Sequence, residues 1–303
     1  MASPSTPKRT RMHRFCVLAV AIVLLWMAAS PAVADPTPQP AAIPAPTASP
    51  SAAPVAALAY PCTNINAYAT RPSVSTSACA VQPRQIAVET GYSETTTTGP
   101  GANSSANYPQ TFIHTGIGPR IELGLTLPSY QVVNNGLTRT TGESDFGFGF
   151  KATLGYSSRA IYGAGISMTV PTGSAAFTNG ADTYTMILNG SYTLTNQFSL
   201  FGTAGFNSLA GPDATGKLVR FRSFNPSVGA TYSLPSNWFV YVEGASSGKV
   251  APNAGSRGLL DYGVQKLCGR VQFDASIGNA LNVVSASRFH YVGFGVSALF
   301  GKN

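Results

Sequence analysis

The chain has 303 residues, enough for one large or two ordinary domains, and 44% of them are hydrophobic. Only 10% are charged, against about 25% in an average soluble domain, and the difference is made up by Gly, Ser, Thr and Asn, which excludes a soluble helical protein. Four of the 19 basic residues and none of the 11 acidic ones precede Asp35, so the formal charge of +8 falls to +4 beyond that point. No basic cluster with interleaved aromatics is left to suggest nucleic-acid binding.

The first element is Cys16 to Ala29, an apolar run shorter than the roughly 20 residues of a spanning helix. Lys8, Arg9, Arg11 and Arg14 precede it, and Ala32-Val33-Ala34 follows. A basic start, a short apolar core and an A-x-A exit predict a secretory signal peptide over 1–34, cleaved after Ala34. Residues 35–59 are almost wholly Pro, Ala, Ser and Thr without periodicity, and read as an extended linker. Residues 60–84 carry Cys62 and Cys79 around a Ser/Thr/Asn-rich stretch. Export exposes them to an oxidising compartment, so they are expected to form a disulfide, leaving Cys268 free. This stapled segment is expected either to plug the barrel inferred below or to hang as a loose tail.

From Gln85 the texture becomes alternation. In Ile121 to Leu127 the apolar residues are 121, 123, 125 and 127; in 271–277, Val271, Phe273, Ala275 and Ile277 alternate with Gln272, Asp274 and Ser276. Period two means strands. Twelve are predicted: 85–95, 109–117, 119–128, 145–156, 159–170, 183–194, 196–207, 221–233, 236–246, 257–267, 269–277 and 288–300. They run about ten residues, carry few charges, and are joined by alternately short and long connections, the pattern of an outer-membrane barrel with short periplasmic turns. The expected fold is therefore all-β, a twelve-stranded antiparallel barrel in the outer membrane, over residues 85–303. Tyr156, Tyr162, Tyr192, Phe198, Tyr232 and Trp238 lie beside the short turns and are expected to form the periplasmic aromatic girdle.

Three stretches carry a family likeness: Cys62…Arg71-Pro72…Ser77-Ala78-Cys79…Val88-Glu89-Thr90-Gly91-Tyr92; Pro171-Thr172-Gly173-Ser174…Phe177-Thr178; and Gly205-Phe206-Asn207-Ser208-Leu209-Ala210-Gly211. His290-Tyr291-Val292-Gly293 near the end also fits. Together they resemble the outer-membrane transporter family of the MetA pathway of phenol degradation, over roughly residues 60–300. The resemblance implies an outer-membrane barrel and, more loosely, transport. Cys268, and the Gly301-Lys302-Asn303 that follows Phe300, depart from it.

No enzyme motif is present: no H-E-x-x-H, G-x-S-x-G or Walker loop. His114 and His290 lack carboxylates or cysteines at ligand spacing, so no metal site and no cofactor are expected; Ser287 beside His290 does not make a hydrolase signature. By strand parity the lumen face includes Glu89, Glu122, Lys151, Glu243, Asp261, Gln272 and Asp274, besides Asn189, Asn207, Asn225 and Gln265. Charged rings in a pore select ions of opposite sign, whereas a polar wall needs such groups in any case. Glu243 and Asp261, with Arg257 or Lys249 from the outer loops, are expected to form a polar constriction. The expected function is passive passage of small solutes, aromatic or hydrophobic ones included; a barrel that only displays its loops is the alternative. The partners implied are outer-membrane lipid, lipopolysaccharide on the basic outer loops, and a small-molecule solute.

Overall fold

A computed structural model describes residues 58–99, 101–281 and 288–302. The signal peptide, and the linker up to residue 57, lie outside the described residues. The described residues form one compact unit.

Fifteen strands make a single sheet. They are β1 (Gln85–Thr98), β2 (Asn103–Tyr108), β3 (Thr111–Gly118), β4 (Ile121–Leu127), β5 (Tyr130–Asn134), β6 (Arg139–Glu143), β7 (Phe146–Tyr156) and β8 (Ala160–Val170). They continue as β9 (Thr183–Thr193), β10 (Phe198–Pro212), β11 (Leu218–Leu234), β12 (Trp238–Ser246), β13 (Gly258–Cys268), β14 (Val271–Ala280) and β15 (Arg288–Gly301). β15 pairs with β1, which closes the sheet into a barrel; β6, in the outer extension, pairs only with β5.

The barrel has twelve staves. β1 pairs with both β2 and β3, so these are one stave interrupted at Pro109-Gln110. In the same way β4 and β5 are one stave broken at Pro128-Ser129, and β6 and β7 one broken at Ser144-Asp145. Proline removes a ladder donor, which accounts for the first two breaks. Gln85 lies opposite Gly301, so the barrel's first and last staves meet at the end that carries the short turns, the periplasmic end by the outer-membrane rule.

Three outer connections are shorter than their sequence suggests. Residues 103–108, 130–134 and 139–143 pair with one another, and β10 and β11 run on to a five-residue turn, 213–217. Ser, Thr, Asn and Gly there read as loop, yet an antiparallel ribbon beyond the hydrocarbon layer can face water on both sides and needs no apolar alternation.

Phe150, Tyr162, Ile166, Met186, Phe206, Phe273 and Phe294 are among the large apolar side chains exposed outward, as a lipid-facing band requires. Of the predicted girdle, Tyr192, Phe198, Tyr232 and Trp238 share the outward register with Tyr162. Tyr156 does not. A bulge between Thr153 and Gly155 shifts the parity of β7, and Tyr156 turns inward to meet Tyr60 edge-on with ring centroids 5.5 Å apart.

Candidate functional site in the barrel lumen

Residues 60–82 lie within the barrel, with Leu58 and Arg84 exposed at its mouth. They open with a miniature core. Helix α1 (Ile65–Tyr68) is a single turn whose Ala67 N–H is capped by Asn64 Oδ1 at 3.1 Å. Ile65 and Tyr68 pack with the Cys62–Cys79 disulfide and Val81, against Ala87 of β1 and Leu299 of β15. Tyr68 Oη donates to Cys62 O at 2.6 Å. The cluster therefore fills the barrel at the end where the short turns are.

From Thr70 the chain runs around the inner wall as a belt, meeting the staves in barrel order. The Thr70 and Arg71 N–H groups donate to the Glu89 carboxylate of β1 at 3.0 and 2.9 Å. The Arg71 guanidinium reaches Phe294 O of β15 at 3.0 Å and Asp274 Oδ1 of β14 at 3.4 Å; its other Nη donates to Gln110 Oε1 at 3.0 Å. Val74 and Ser75 N–H donate to Glu243 of β12 at 2.8 and 2.9 Å, and the Ser75 hydroxyl also meets that carboxylate. Thr76 is held by Thr203 of β10 and Asn189 of β9. Thr153 of β7 bonds Ala78 O and Ala80 N–H, and Val81 N–H donates to Glu122 of β4 at 2.7 Å. Pro83 then bridges Gly116 of β3, and the chain enters β1.

Glycine makes the seat. Gly91 and Gly295 face each other across β1 and β15, and a Cβ on either would lie 2.4 Å from an Arg71 side-chain atom. Only residues without a side chain leave room there for the guanidinium. At Gly116 a Cβ would sit 2.1 Å from Gln82 O.

Of the wall residues expected from parity, the charged ones and Gln272 are buried: Glu89, Asp261 and Gln272 at 0% exposure, Glu243 at 1%, Glu122 at 2%, Asp274 at 6% and Lys151 at 7%; Asn207, Asn225 and Gln265 are half-buried. The charged ones fall into two groups. On β1, β3, β4 and β7, His114 lies 3.0 Å from Glu89 and 2.9 Å from Glu122, and Lys151 is 3.1 Å from Glu122. On β12 and β13, Glu243 and Asp261 are direct cross-strand partners; Tyr241 Oη donates to Asp261 Oδ2 at 2.8 Å. Arg257 is not with them. Its guanidinium lies over the Phe289 ring, 5.9 Å from the centroid. The arginine among the wall carboxylates is Arg71, from the belt.

Sequence reasoning set His114 aside for want of a carboxylate at ligand spacing; strand register supplies two, from Glu122 and Glu89. The tight β3–β4 hairpin pairs Gly116 with Glu122, which puts His114 and Glu122 one diagonal step apart on the same face. Arg71 carried a signal only as part of the family block. His290 faces outward at the rim of β15, opposite Asn279, and Ser287 lies outside the described residues. The lumen is also less uniformly polar than alternation implied. Phe112, Phe201, Tyr241 and Tyr291 share the inward register of Glu89, Thr203, Glu243 and Gly293. Tyr241 and Tyr291 lie over cross-strand glycines, Gly263 and Gly278. On the outer side of the belt is a cavity of about 500 Å³, bounded by Arg71, Ser73 and Thr76 from the belt and by Gln110, Phe112, Lys151 and Tyr291 from the wall.

The model of the family described as "Putative MetA-pathway of phenol degradation" matches residues 69–300. The chain belongs to this family. The matched span begins one residue before the belt, so Arg71 and the circuit that follows it are part of the family region. Among solved structures the chain is similar to the COG4313 outer membrane channel from Pseudomonas putida F1, with a TM-score of 0.57 and 14% identity over 75% of this chain and 100% of that one. The NanC porin is matched at a TM-score of 0.47 and 10% identity, over 69% of this chain and 98% of that one. No curated protein matches. The family and the shared fold make this an outer-membrane β-barrel.

Proposed function

We propose that this family member is a passive outer-membrane channel for small solutes, with residues 58–84 acting as a plug that narrows or closes it. The observation that carries the reading is the belt: a closed barrel with a polar inner wall has its own chain threaded around that wall, with a solvent-sized cavity left on the outer side. The inward rings of Phe112 and Tyr291 at that cavity favour solutes with an aromatic or apolar part. The family's description points the same way, and the channel-type fold fits passive passage.

A sealed scaffold that presents its outer loops is the second reading, and the completeness of the circuit is what favours it. Planar-bilayer conductance of the protein with and without residues 35–84 separates the two. A channel conducts in the intact form, or opens when the segment is removed. Silence in both forms, with heat-modifiable mobility confirming a folded barrel, leaves only the scaffold. Vesicle uptake of phenol-sized aromatics against sugars of equal size then tests the solute class; equal rates would remove the aromatic preference.

A further inference from the structure

The two ends of the barrel differ in charge. The outer connections mix signs, with Arg139, Lys217 and Lys249 among Glu143, Asp182 and Asp213. On the periplasmic rim, outside the lumen, the charged side chains among the described residues are Arg84, Arg120, Arg159, Lys266, Arg270 and Lys302, all cationic. Five of the six are exposed and Lys266 is half-buried. None is in an ion pair among the described residues.

Their placement is systematic. Each stands beside an outward apolar side chain at the edge of the lipid-facing band. In sequence Arg84 is two residues from Ile86, Arg120 adjoins Ile121, Arg159 is three from Tyr162, Arg270 three from Phe273, and Lys302 two from Phe300; Arg120 also lies over the inward Tyr156 ring, 4.8 Å from its centroid, and Arg270 Nε donates to Leu299 O at 2.8 Å. Lys266 lies over its cross-strand neighbour Trp238, 5.1 Å from the ring centroid. At about 3.3 Å of rise per residue, every cation is within roughly 10 Å of the hydrocarbon edge, the level of the headgroup phosphates. In barrel order the six occupy one arc, from β13 through β15, β1, β3 and β4 to the β7–β8 turn; the remaining arc carries Tyr192, Phe198, Tyr232 and Trp238 instead.

We propose that this arc of the periplasmic rim binds the headgroups of anionic phospholipids in the inner leaflet of the outer membrane. A soluble acidic partner would need cations directed away from the bilayer. Here the cations stand at the edge of the lipid-facing band, and Lys266 lies against the exposed ring of Trp238, the arrangement in which a long basic side chain lies along apolar surface and delivers its charge to a phosphate. Clustered Lys and Arg at an anionic bilayer surface each add attraction that falls off within a Debye length, so the preference must weaken with salt.

The test uses the full chain extracted from outer membranes and reconstituted with spin-labelled lipids. The association of labelled phosphatidylglycerol is measured against labelled phosphatidylcholine. At low salt the glycerol lipid is expected to bind about threefold more strongly, and the ratio to approach one at 1 M salt. A variant with Arg84→Gln, Arg159→Gln and Lys302→Gln should lose at least half of the selectivity. A control with Arg139→Gln, Lys217→Gln and Lys249→Gln should keep it. Equal association in the unmodified protein, or selectivity lost only in the outer-loop control, overturns the proposal. So does a salt-sensitive pull-down of a soluble polyanion without lipid preference, which would give the arc to a periplasmic partner. Should the rim variant not assemble, the salt titration of the unmodified protein decides. Conductance does not enter the readout, so this inference stands or falls independently of the channel reading.

Discussion

The two walls of the lumen solve the same problem differently. On β1, β3, β4 and β7 the buried carboxylates Glu89 and Glu122 are met by nitrogen-bearing side chains from neighbouring staves, the His114 imidazole and the Lys151 ammonium. On β12, β13 and β14 the carboxylates Glu243, Asp261 and Asp274 have no wall cation in ion-pair range among the described residues. Glu243 is held by belt N–H groups and a belt hydroxyl, Asp261 by the Tyr241 hydroxyl, and Asp274 by belt Arg71. Burying an ionised carboxylate without partners costs several kcal/mol. The first wall is therefore largely compensated by itself. The second is complete only with the belt in place.

The largest expected effect breaks that comparison directly. Removing residues 58–84 takes out Arg71 and the N–H groups on Glu243, leaving Glu243 and Asp274 without their partners beside Asp261 on one wall of a widened lumen. Conductance should rise severalfold, and the reversal potential in a salt gradient should shift toward cation preference. Adding Glu243→Gln and Asp274→Asn to the deletion should abolish that preference and keep the conductance. An open but unselective pore in the deletion alone would mean that the two walls are equivalent.

Arg71→Ala is a smaller version of the same cut. It leaves Asp274 buried without its cation, a loss of about 3 to 5 kcal/mol for broken buried pairs. The belt should become accessible to protease from the periplasmic side. Gly295→Val should do similar damage by occupying the guanidinium's space, and its effect should shrink in part in the Arg71→Ala background, where the side-chain clash is gone and only the 2.7 Å approach of a Cβ to Thr90 O remains. Independent, additive effects of the two substitutions would show that the glycine pair does not exist to seat Arg71. Replacing Cys62 and Cys79 by serine should loosen the belt by about 3 kcal/mol in the chain-entropy model, seen as brief openings in single-channel records. It should leave the barrel's heat-modifiable mobility unchanged, since no stave depends on the bond.

These contrasts mark where sequence reading succeeded. Strand identity, stave number and the lipid-facing set follow from period two, because a membrane barrel imposes alternation on every stave. Glu122 and Lys151, or Glu243 and Asp261, could be assigned to the lumen by parity alone. Parity fails where the ladder slips, as at the Thr153–Gly155 bulge that turned Tyr156 inward. It is silent where strands leave the hydrocarbon, which is why 130–134 and 139–143 read as loop. The circuit of residues 70–83 left no periodic trace, since its form is imposed by acceptors spread over the wall from Glu89 to Glu243. The ion pairs of His114 depend on register between staves, which one strand's pattern cannot contain.

The smallest effect concerns the outer mouth, where a loop rather than a belt is tied to a carboxylate. Asp145 sits at the β6–β7 break. Its Oδ1 accepts from Gly173 N–H at 2.8 Å, and its Oδ2 from Asn179 N–H at 2.8 Å and Asn179 Nδ2 at 3.1 Å. Burial pushes this carboxyl upward, but the Asn179 and Gly173 N–H donors outweigh it and hold the group below the ordinary aspartate value. A depressed folded value means that the tie is at full strength above the unfolded aspartate value, near 4, and is lost as pH falls through the lower folded one. Hydrogen exchange in 171–182 should therefore be slow and flat from neutral pH to about 4, after correction for intrinsic rates, and should quicken below that. Asp145→Asn replaces one acceptor by a donor facing an N–H group, a loss of about 1 to 2 kcal/mol. It should give fast exchange at neutral pH and no acid transition. Belt protection measured in the same spectra should not respond to the substitution, because Asp145 holds the outer loop and makes no contact with the residues that seat the belt; a coupled response would join the two regions into one gate.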